Sequence, residues 1–111
     1  MRTKPIIYIC SPLRGNIERN IKKAIGYSRF AYSQGSIPLA PHLIFTTFLD
    51  DEIPEERRAG MEMGRELLTI CDELWVFGDR ISEGMAAEIE LAKGLSLRVR
   101  WFNERCEPFH G

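Results

Sequence analysis

Four short apolar runs separated by helix-type patterns constrain the fold of this chain more than any other feature. The runs lie at residues 5–10, 37–40, 73–77 and 97–102. The first is nearly continuous and rich in β-branched residues, which is typical of a strand covered on both faces of a parallel sheet. Helical patterns fill the three intervals between the runs. This alternation predicts right-handed crossovers and a parallel sheet with helices on both faces.

The expected architecture is a small doubly wound α/β domain, a three-layer sandwich of the flavodoxin or Rossmann type. Its four parallel strands take the order 2-1-3-4, so the switch point lies between strands 1 and 3, where ligands bind at the carboxyl ends. The loops at residues 11–16 and 82–88 follow these two strands and are therefore predicted to meet. Pro38 favours an edge position for strand 2, and the alternation in the fourth run indicates one less buried face.

Start and stop signals bound three helices. The first follows Asn16 as its N-cap and ends at Gly35, the second begins at Pro54, and the third spans about residues 84–93. Residues 41–51 are expected to form a loop or irregular segment. The predicted inward stripes are Ile17, Ile21, Ala24, Ile25, Ser28 and Tyr32 on the first helix, and Gly60, Met63, Gly64, Leu67, Leu68 and Cys71 on the second.

The third helix carries a carboxylate among apolar positions. Met85, Glu88, Ile89 and Ala92 fall at i, i+3, i+4 and i+7, the spacing of one helix face. A carboxylate on an inward stripe is costly to bury unless another group pairs with it or a reaction uses it. Glu88 is therefore either half of a structural ion pair with an arginine or a functional residue.

The loop after the first strand suits an anion. Arg14, Gly15 and Asn16 at a helix N-terminus offer free backbone N–H groups and a guanidinium, which together favour phosphate. The alternative is an ordinary helix cap beside a solvated arginine. The Gly-rich motifs G-x-x-x-x-G-K-[ST] and G-x-G-x-x-G are absent. Cys10 and Arg14 are too close in sequence for the loop of cysteine phosphatases.

Composition narrows the class of protein. A chain of 111 residues is expected to form one domain, residues 1–111, and its net charge of −1 argues against a nucleic-acid polymer as partner. It contains no apolar run of membrane-spanning length and no signal-peptide pattern, so no membrane is expected. Three widely spaced cysteines predict reduced thiols in a cytoplasmic protein. Neither a metal nor a cofactor is expected.

Two segments together resemble the nucleoside 2-deoxyribosyltransferase-like superfamily: YICSPLRG at residues 8–15 and SEGMAAE at residues 82–88. The first segment is most similar to the deoxynucleoside 5′-monophosphate N-glycosidases, which carry a tyrosine and an Arg-Gly loop at the end of the first strand. The run CDELWVFG at residues 71–78 resembles a small bacterial and phage branch. The resemblance spans roughly residues 5–100 by order of elements.

The resemblance implies a role for each matching residue. Glu88 would be the nucleophile or electrostatic partner at the anomeric carbon of the sugar, and Tyr8 would orient it by a hydrogen bond. Ser82 would lie near the sugar or phosphate, and Arg14 with Gly15 would bind a 5′-phosphate. The same two loops add Ser11, Asn16 and Gly84 to the predicted binding set. Cleavage of an N-glycosidic bond builds positive charge on the sugar, which an ionised carboxylate stabilises.

Two positions depart from the N-glycosidases. Those enzymes have a serine where Pro12 stands, and their general acid, an aspartate, aligns near Gly64. The carboxylates that could replace it are Asp50, Asp51 and Glu62. Asp51 is the preferred candidate because it follows the second strand at the site end. His42 is expected to contact the base, with capping or packing as its alternative role.

Two hypotheses follow for the function. The first is an enzyme, an N-glycosidase or deoxyribosyltransferase acting on a nucleoside or nucleoside 5′-monophosphate, with hydrolysis slightly favoured. The second is a non-catalytic nucleotide-binding module that lacks the general acid. An FMN carrier would need a Ser/Thr-rich first loop, which is absent. The resemblance also implies a homo-oligomer, a dimer or larger.

Overall fold

A computed structural model of the protein describes residues 2–109. In chain order the elements are β1 (Ile6–Cys10), α1 (Ile17–Ser33), β2 (Ile37–Leu39), α2 (Pro41–Phe45), α3 (Pro54–Leu68), β3 (Glu73–Phe77), α4 (Glu83–Gly94) and β4 (Arg98–Phe102). The four strands and three long helices lie within a few residues of their predicted bounds. Within the described residues, no helix has the length and apolarity needed to cross a membrane.

The sheet has the predicted order and direction. Its strands run β2-β1-β3-β4, and all three neighbouring pairs are parallel. Cys10 at the end of β1 is in register with Val76 near the end of β3. The loops that follow these two strands therefore start side by side, as the switch-point argument requires. Pro38 lies in an edge strand, which confirms its predicted position.

Strand alternation divides the core into two layers. Ile7 and Ile9 of β1 face α1, where they pack with a group of aromatic rings. Tyr8 and Cys10 face the opposite way and pack with residues of α3 and α4. Since successive side chains of a strand point to opposite faces, this alternation directs the tyrosine and the thiol toward the same helix pair.

The predicted inward face of α1 was wrong in part. Ala24 is buried as expected, but Ile25 and Tyr32 are 55% and 58% exposed. The buried face instead contains Tyr27, whose ring stacks on Phe77 with the centroids 4.4 Å apart. The stacked pair of Tyr27 and Phe77 buries a large apolar area, because each aromatic ring covers a face of the other. This contact determines the rotation of α1 about its axis and leaves Ile25 and Tyr32 exposed.

The segment at residues 41–51 was predicted to be irregular and contains a short helix instead. α2 begins at Pro41 in its first turn, where the missing N–H of proline costs no hydrogen bond. The sequence pattern predicted no helix start at this proline. The helix matters for the site because it fixes the position of His42, one residue into its first turn.

Candidate active site

A cavity opens at the carboxyl ends of β1 and β3, on the face of the sheet that α3 and α4 cover. Its walls include the start of α2, one side of α3 and the first turns of α4. Eight of the ten predicted site residues line it: Tyr8, Ser11, Arg14, His42, Asp51, Ser82, Gly84 and Glu88. The structure therefore brings together side chains that are up to 80 positions apart in the chain.

Two predicted residues lie outside this cavity. Gly15 borders a shallow neighbouring pocket that it shares with Arg14, and its φ of +103° suits glycine. The Asn16 side chain accepts a hydrogen bond from the backbone N–H of Arg19 at 3.1 Å. Asn16 thus has the capping role that the sequence left open as an alternative. The candidate carboxylates Asp50 and Glu62 do not line the cavity either.

Ser82 has a structural bond as well as a place in the wall. Its hydroxyl oxygen caps α4 by accepting a hydrogen bond from the backbone N–H of Met85 at 3.2 Å. This cap fixes the first turn of α4, and Glu88 follows one and a half turns later on the inward side. Ser82 therefore helps to fix the position of the Glu88 carboxylate in the cavity wall.

Both oxygens of the Glu88 carboxylate are held by donors from β1. The Tyr8 hydroxyl donates to Oε2, and the Cys10 thiol donates to Oε1 with the sulfur 3.4 Å away. The two donors are alternate residues of one strand, so they reach the same helix face. Cys10 was not among the predicted site residues, although its position two residues after Tyr8 carried this signal.

Burial shifts the pKa values of Glu88 and of its two hydrogen-bond donors. Burial raises the pKa of Glu88, whereas the hydrogen bonds from Tyr8 and Cys10 and the positive charge of Arg65 act to lower it. Burial and the nearby Glu88 charge raise the pKa of both the Tyr8 hydroxyl and the Cys10 thiol. Both donors therefore keep their protons near neutral pH and favour the ionised form of the carboxylate.

Replacement of Cys10 by alanine is expected to raise the pKa of Glu88 further, because the charged form loses a hydrogen-bond donor. Titration of the side-chain carboxyl resonance by 13C NMR, assigned by its absence in Glu88→Gln, measures this shift. Cys10→Ser retains a donor and should shift the pKa of Glu88 less.

Cys71→Ala is the matched control, because its buried thiol donates to the Leu67 carbonyl at 3.3 Å and not to Glu88. A Glu88 titration that is identical in wild type and Cys10→Ala would contradict the proposed contribution of the thiol. The thiol is a weak donor to a charged acceptor, so its hydrogen bond is worth about 1.5 kcal/mol, and any accompanying loss of rate should be about tenfold.

Gly64 lets α3 approach the carboxylate closely. A Cβ atom on Gly64 would lie 3.0 Å from the Tyr8 hydroxyl oxygen and 4.0 Å from Glu88 Oε2. The position where the resemblance places a general acid therefore faces the site, and the chain has no side chain there. The next residue, Arg65, also lines the cavity and was not predicted. Its spacing from Arg57 and Met61, which line the same wall, is the helical signal that could have identified it.

A second polar group lies at the end of the cavity formed by the loops after β1 and β2. His42 Nε2 donates to the carbonyl oxygen of Ser11 at 2.8 Å, which fixes the ring and its tautomer. Burial lowers the pKa of His42, so the imidazole is neutral near pH 7. Arg14 Nε and Asp51 Oδ2 form an ion pair at 3.3 Å. The predicted phosphate ligand Arg14 thus has a carboxylate partner within the site.

The fold defines a class: a doubly wound α/β domain, similar in architecture to two solved 2-deoxyribosyltransferases. The 2-deoxyribosyltransferase of the psychrotolerant bacterium Bacillus psychrosaccharolyticus has a similar structure, with a TM-score of 0.71 and 19% sequence identity over 95% of this chain and 77% of that one. The 2-desoxiribosyltransferase of Leishmania mexicana is similar with a TM-score of 0.59 and 17% identity, over 89% of this chain and 64% of that one. At these identities the comparison establishes the fold alone.

The family itself is identified by sequence. A profile described as a domain of unknown function, DUF7768, matches residues 5–102, and the chain belongs to this family. A search of curated protein sequences found no match.

Proposed function

We propose that this protein cleaves the N-glycosidic bond of a nucleoside or nucleoside 5′-monophosphate, as a hydrolase or as a deoxyribosyltransferase. One observation carries the proposal: Glu88 is a partly buried carboxylate, held at both oxygens by protonated donors, in the wall of a cavity at the switch point. A structural ion pair would explain the burial of Glu88, but no arginine or lysine nitrogen of the described residues lies within 4.0 Å of it. Its bonds orient it as a reacting group.

The proposed chemistry uses Glu88 at the anomeric carbon. The bond from C1′ to the base nitrogen breaks, its electron pair leaves with the base, and the base nitrogen takes up a proton. The Glu88 carboxylate bonds to C1′ or stabilises the positive charge there. Water then completes hydrolysis, or a second base attacks C1′ to complete exchange. Tyr8 and Cys10 hold the carboxylate at the angle that this attack requires.

The remaining roles are also part of the proposal. Asp51 is the predicted proton donor to the leaving base, and it lines the cavity as a charged partner of Arg14. Binding of a 5′-phosphate by Arg14 would require the guanidinium to exchange this carboxylate for the phosphate. His42 borders the cavity in its neutral form, where it suits contact with an uncharged base. Homo-oligomerisation and a cytoplasmic location stay predictions.

Release of free base tests the proposal directly. The wild-type protein is incubated with ribo- and deoxynucleosides and their 5′-monophosphates, and free bases are separated by chromatography. A second set of reactions contains an added acceptor base, so that exchange is distinguished from hydrolysis by the appearance of a new nucleoside. Release from at least one substrate, in proportion to enzyme, is the expected result. If every substrate stays intact over long incubation, the enzymatic proposal is wrong.

A second candidate is a nucleotide-binding module without catalysis. It is favoured by Gly64, because the site has no carboxylate at the position of the general acid in the N-glycosidases and has no room for one beside Tyr8. Calorimetry would then detect binding without turnover, weakened by Arg14→Ala and hardly changed by Glu88→Ala. Binding that is indifferent to Arg14 would exclude this candidate.

A further inference from the structure

Two buried polar atoms in the described part of the chain have no hydrogen-bond partner, and both belong to the second polar group of the cavity. They are the Ser11 hydroxyl oxygen and Asp51 Oδ2. Buried polar atoms in folded proteins are nearly always satisfied, and leaving one unpaired costs about 1–3 kcal/mol. Two such atoms in the wall of one cavity form a polar pair whose hydrogen bonds a bound ligand can complete.

The Asp51 oxygen is the more informative of the two. The ion pair with Arg14 brings Nε to 3.3 Å but does not satisfy hydrogen-bond geometry, so Oδ2 remains a charged acceptor without a donor. The Asp51 side chain is 15% exposed, whereas the Arg14 side chain is 52% exposed. The carboxylate is therefore enclosed by the cavity wall, whereas the guanidinium is half exposed to solvent.

Ser11 lies at the same end of the cavity. The residue is 2% exposed, and its carbonyl oxygen is already bound by His42 Nε2 at 2.8 Å. His42 is also close enough to Asp51 for the carboxylate to act on its pKa: burial lowers the pKa of His42, and the nearby Asp51 raises it by less. The Ser11 hydroxyl can donate or accept, while the Asp51 carboxylate can only accept. The pair therefore suits a ligand that offers at least one N–H donor.

An anionic ligand group is disfavoured at this end. Three arginines and four carboxylates line the cavity, so the formal charge of its wall is slightly negative with His42 neutral. A phosphate at Arg14 would lie next to the Asp51 carboxylate, and like charges at such distances repel. A neutral donor avoids this repulsion and satisfies the unpaired oxygen.

We propose that Asp51 and Ser11 form the base-recognition site of this cavity, and that the site selects nucleobases carrying an exocyclic amino group: adenine, cytosine or guanine. The proposal rests on the proposed function only in that the ligand is a nucleoside. It concerns binding and does not depend on turnover. An Asp51 carboxylate that accepts the amino proton has no proton of its own to donate, so this role replaces the proton-donor role considered above, and another group protonates the leaving base. Replacing the amino group by a carbonyl moves the donor to the neighbouring ring nitrogen, so the Asp51 oxygen that met the amino group then meets a carbonyl oxygen.

Matched pairs of nucleosides test this selection. Deoxycytidine and deoxyuridine differ by one amino-to-carbonyl change, and so do deoxyadenosine and deoxyinosine. Isothermal titration calorimetry with wild-type protein should show the amino member of at least one pair binding about tenfold or more tightly than its partner, because a site built around a hydrogen bond rejects the analogue that lacks it. Neither pair should show the reverse order.

Asp51→Asn provides the decisive variant. The amide keeps the size of the side chain and adds an N–H donor, so the preference should disappear or turn toward the carbonyl member of the pair. Asp50→Asn is the matched control: it makes the same chemical change one residue earlier, outside the cavity, and should keep the wild-type preference. Ser11→Ala should weaken binding of the preferred nucleoside severalfold.

Several results would overturn this inference. They are equal affinities within both pairs, tighter binding of a carbonyl member, a preference that survives Asp51→Asn, or no detectable binding of any of the four nucleosides. Monophosphates that bind at least tenfold more tightly than nucleosides, with no base preference, would assign this end of the cavity to a phosphate. Amino-base selection without base release would uphold this site and refute the catalytic proposal, so the two failures are distinguishable.

Discussion

Glu88→Gln is expected to lower the rate of base release by about a thousandfold or more, the largest functional effect of any single substitution in this chain. Glutamine keeps the size of the side chain and can still meet Tyr8 and Cys10, but it has no charge with which to stabilise or attack the anomeric carbon. The loss should fall on kcat/KM with little change in nucleoside affinity, because the carboxylate acts mainly in the transition state. Steady-state assays of base release measure the rate, and calorimetry measures the affinity.

The control for this variant lies two residues further along the same helix. Glu90 is exposed and does not line the cavity, so Glu90→Gln should leave base release unchanged. If Glu88→Gln retained more than about a tenth of the wild-type rate, the carboxylate would not be the reacting group. Equal losses in both variants would point to a general effect of α4 instead.

Glu88→Gln should increase the stability of the protein near neutral pH even though it lowers the rate of base release. Burial raises the pKa of Glu88 above the ordinary glutamate value of 4.5, so the native state binds this proton more tightly than the unfolded state does. The stability that this group contributes is therefore complete below its ordinary pKa and is lost as pH rises through the raised pKa. Glutamine does not ionise. Glu88→Gln should match wild type at low pH and be the more stable protein near neutral pH, a pattern typical of functional residues.

The fold and part of the site follow from local sequence patterns. Strand runs, crossovers and edge signals such as Pro38 predicted the strand order, because each acts through hydrogen bonding and burial of its own element. Glu88 stood out by its helical spacing alone. Cys10 also follows a local pattern, because it alternates with Tyr8 on one face of β1. That pattern indicates a site residue only when Glu88 is known to face the same side of the strand.

The rest depends on contacts between elements. The rotation of α1 is set by Tyr27 stacking on Phe77, fifty residues away, and no period within α1 encodes that ring. The ion pair of Arg14 with Asp51 depends on how two loops fold over the carboxyl ends of β1 and β2. Such loops are fixed by tertiary contacts rather than by propensity. The sequence therefore identified the residues of the second polar group without revealing that they pair with each other.

The second large effect is expected at Gly64, where alanine should damage both stability and activity. In an exposed helix interior, glycine to alanine stabilises by about 1 kcal/mol. At Gly64 the new Cβ would lie 3.0 Å from the Tyr8 hydroxyl, and that ring is 1% exposed and bound to Glu88. The hydroxyl can move away only by loosening its hold on the carboxylate. Overpacking of this kind costs roughly 1–3 kcal/mol, so the net effect should be destabilising.

Gly26→Ala supplies the matched comparison, since Gly26 lies in the middle of α1 with no atom within 4 Å of the added Cβ. Urea denaturation should show Gly26→Ala more stable than wild type and Gly64→Ala less stable, a separation of about 2 kcal/mol. Base release should be unchanged in Gly26→Ala and lowered about tenfold or more in Gly64→Ala, because a displaced Tyr8 no longer orients Glu88. A Gly64→Ala protein that gained stability and kept full activity would show that α3 can shift away from the Tyr8–Glu88 pair. The close approach at Gly64 would then serve packing alone.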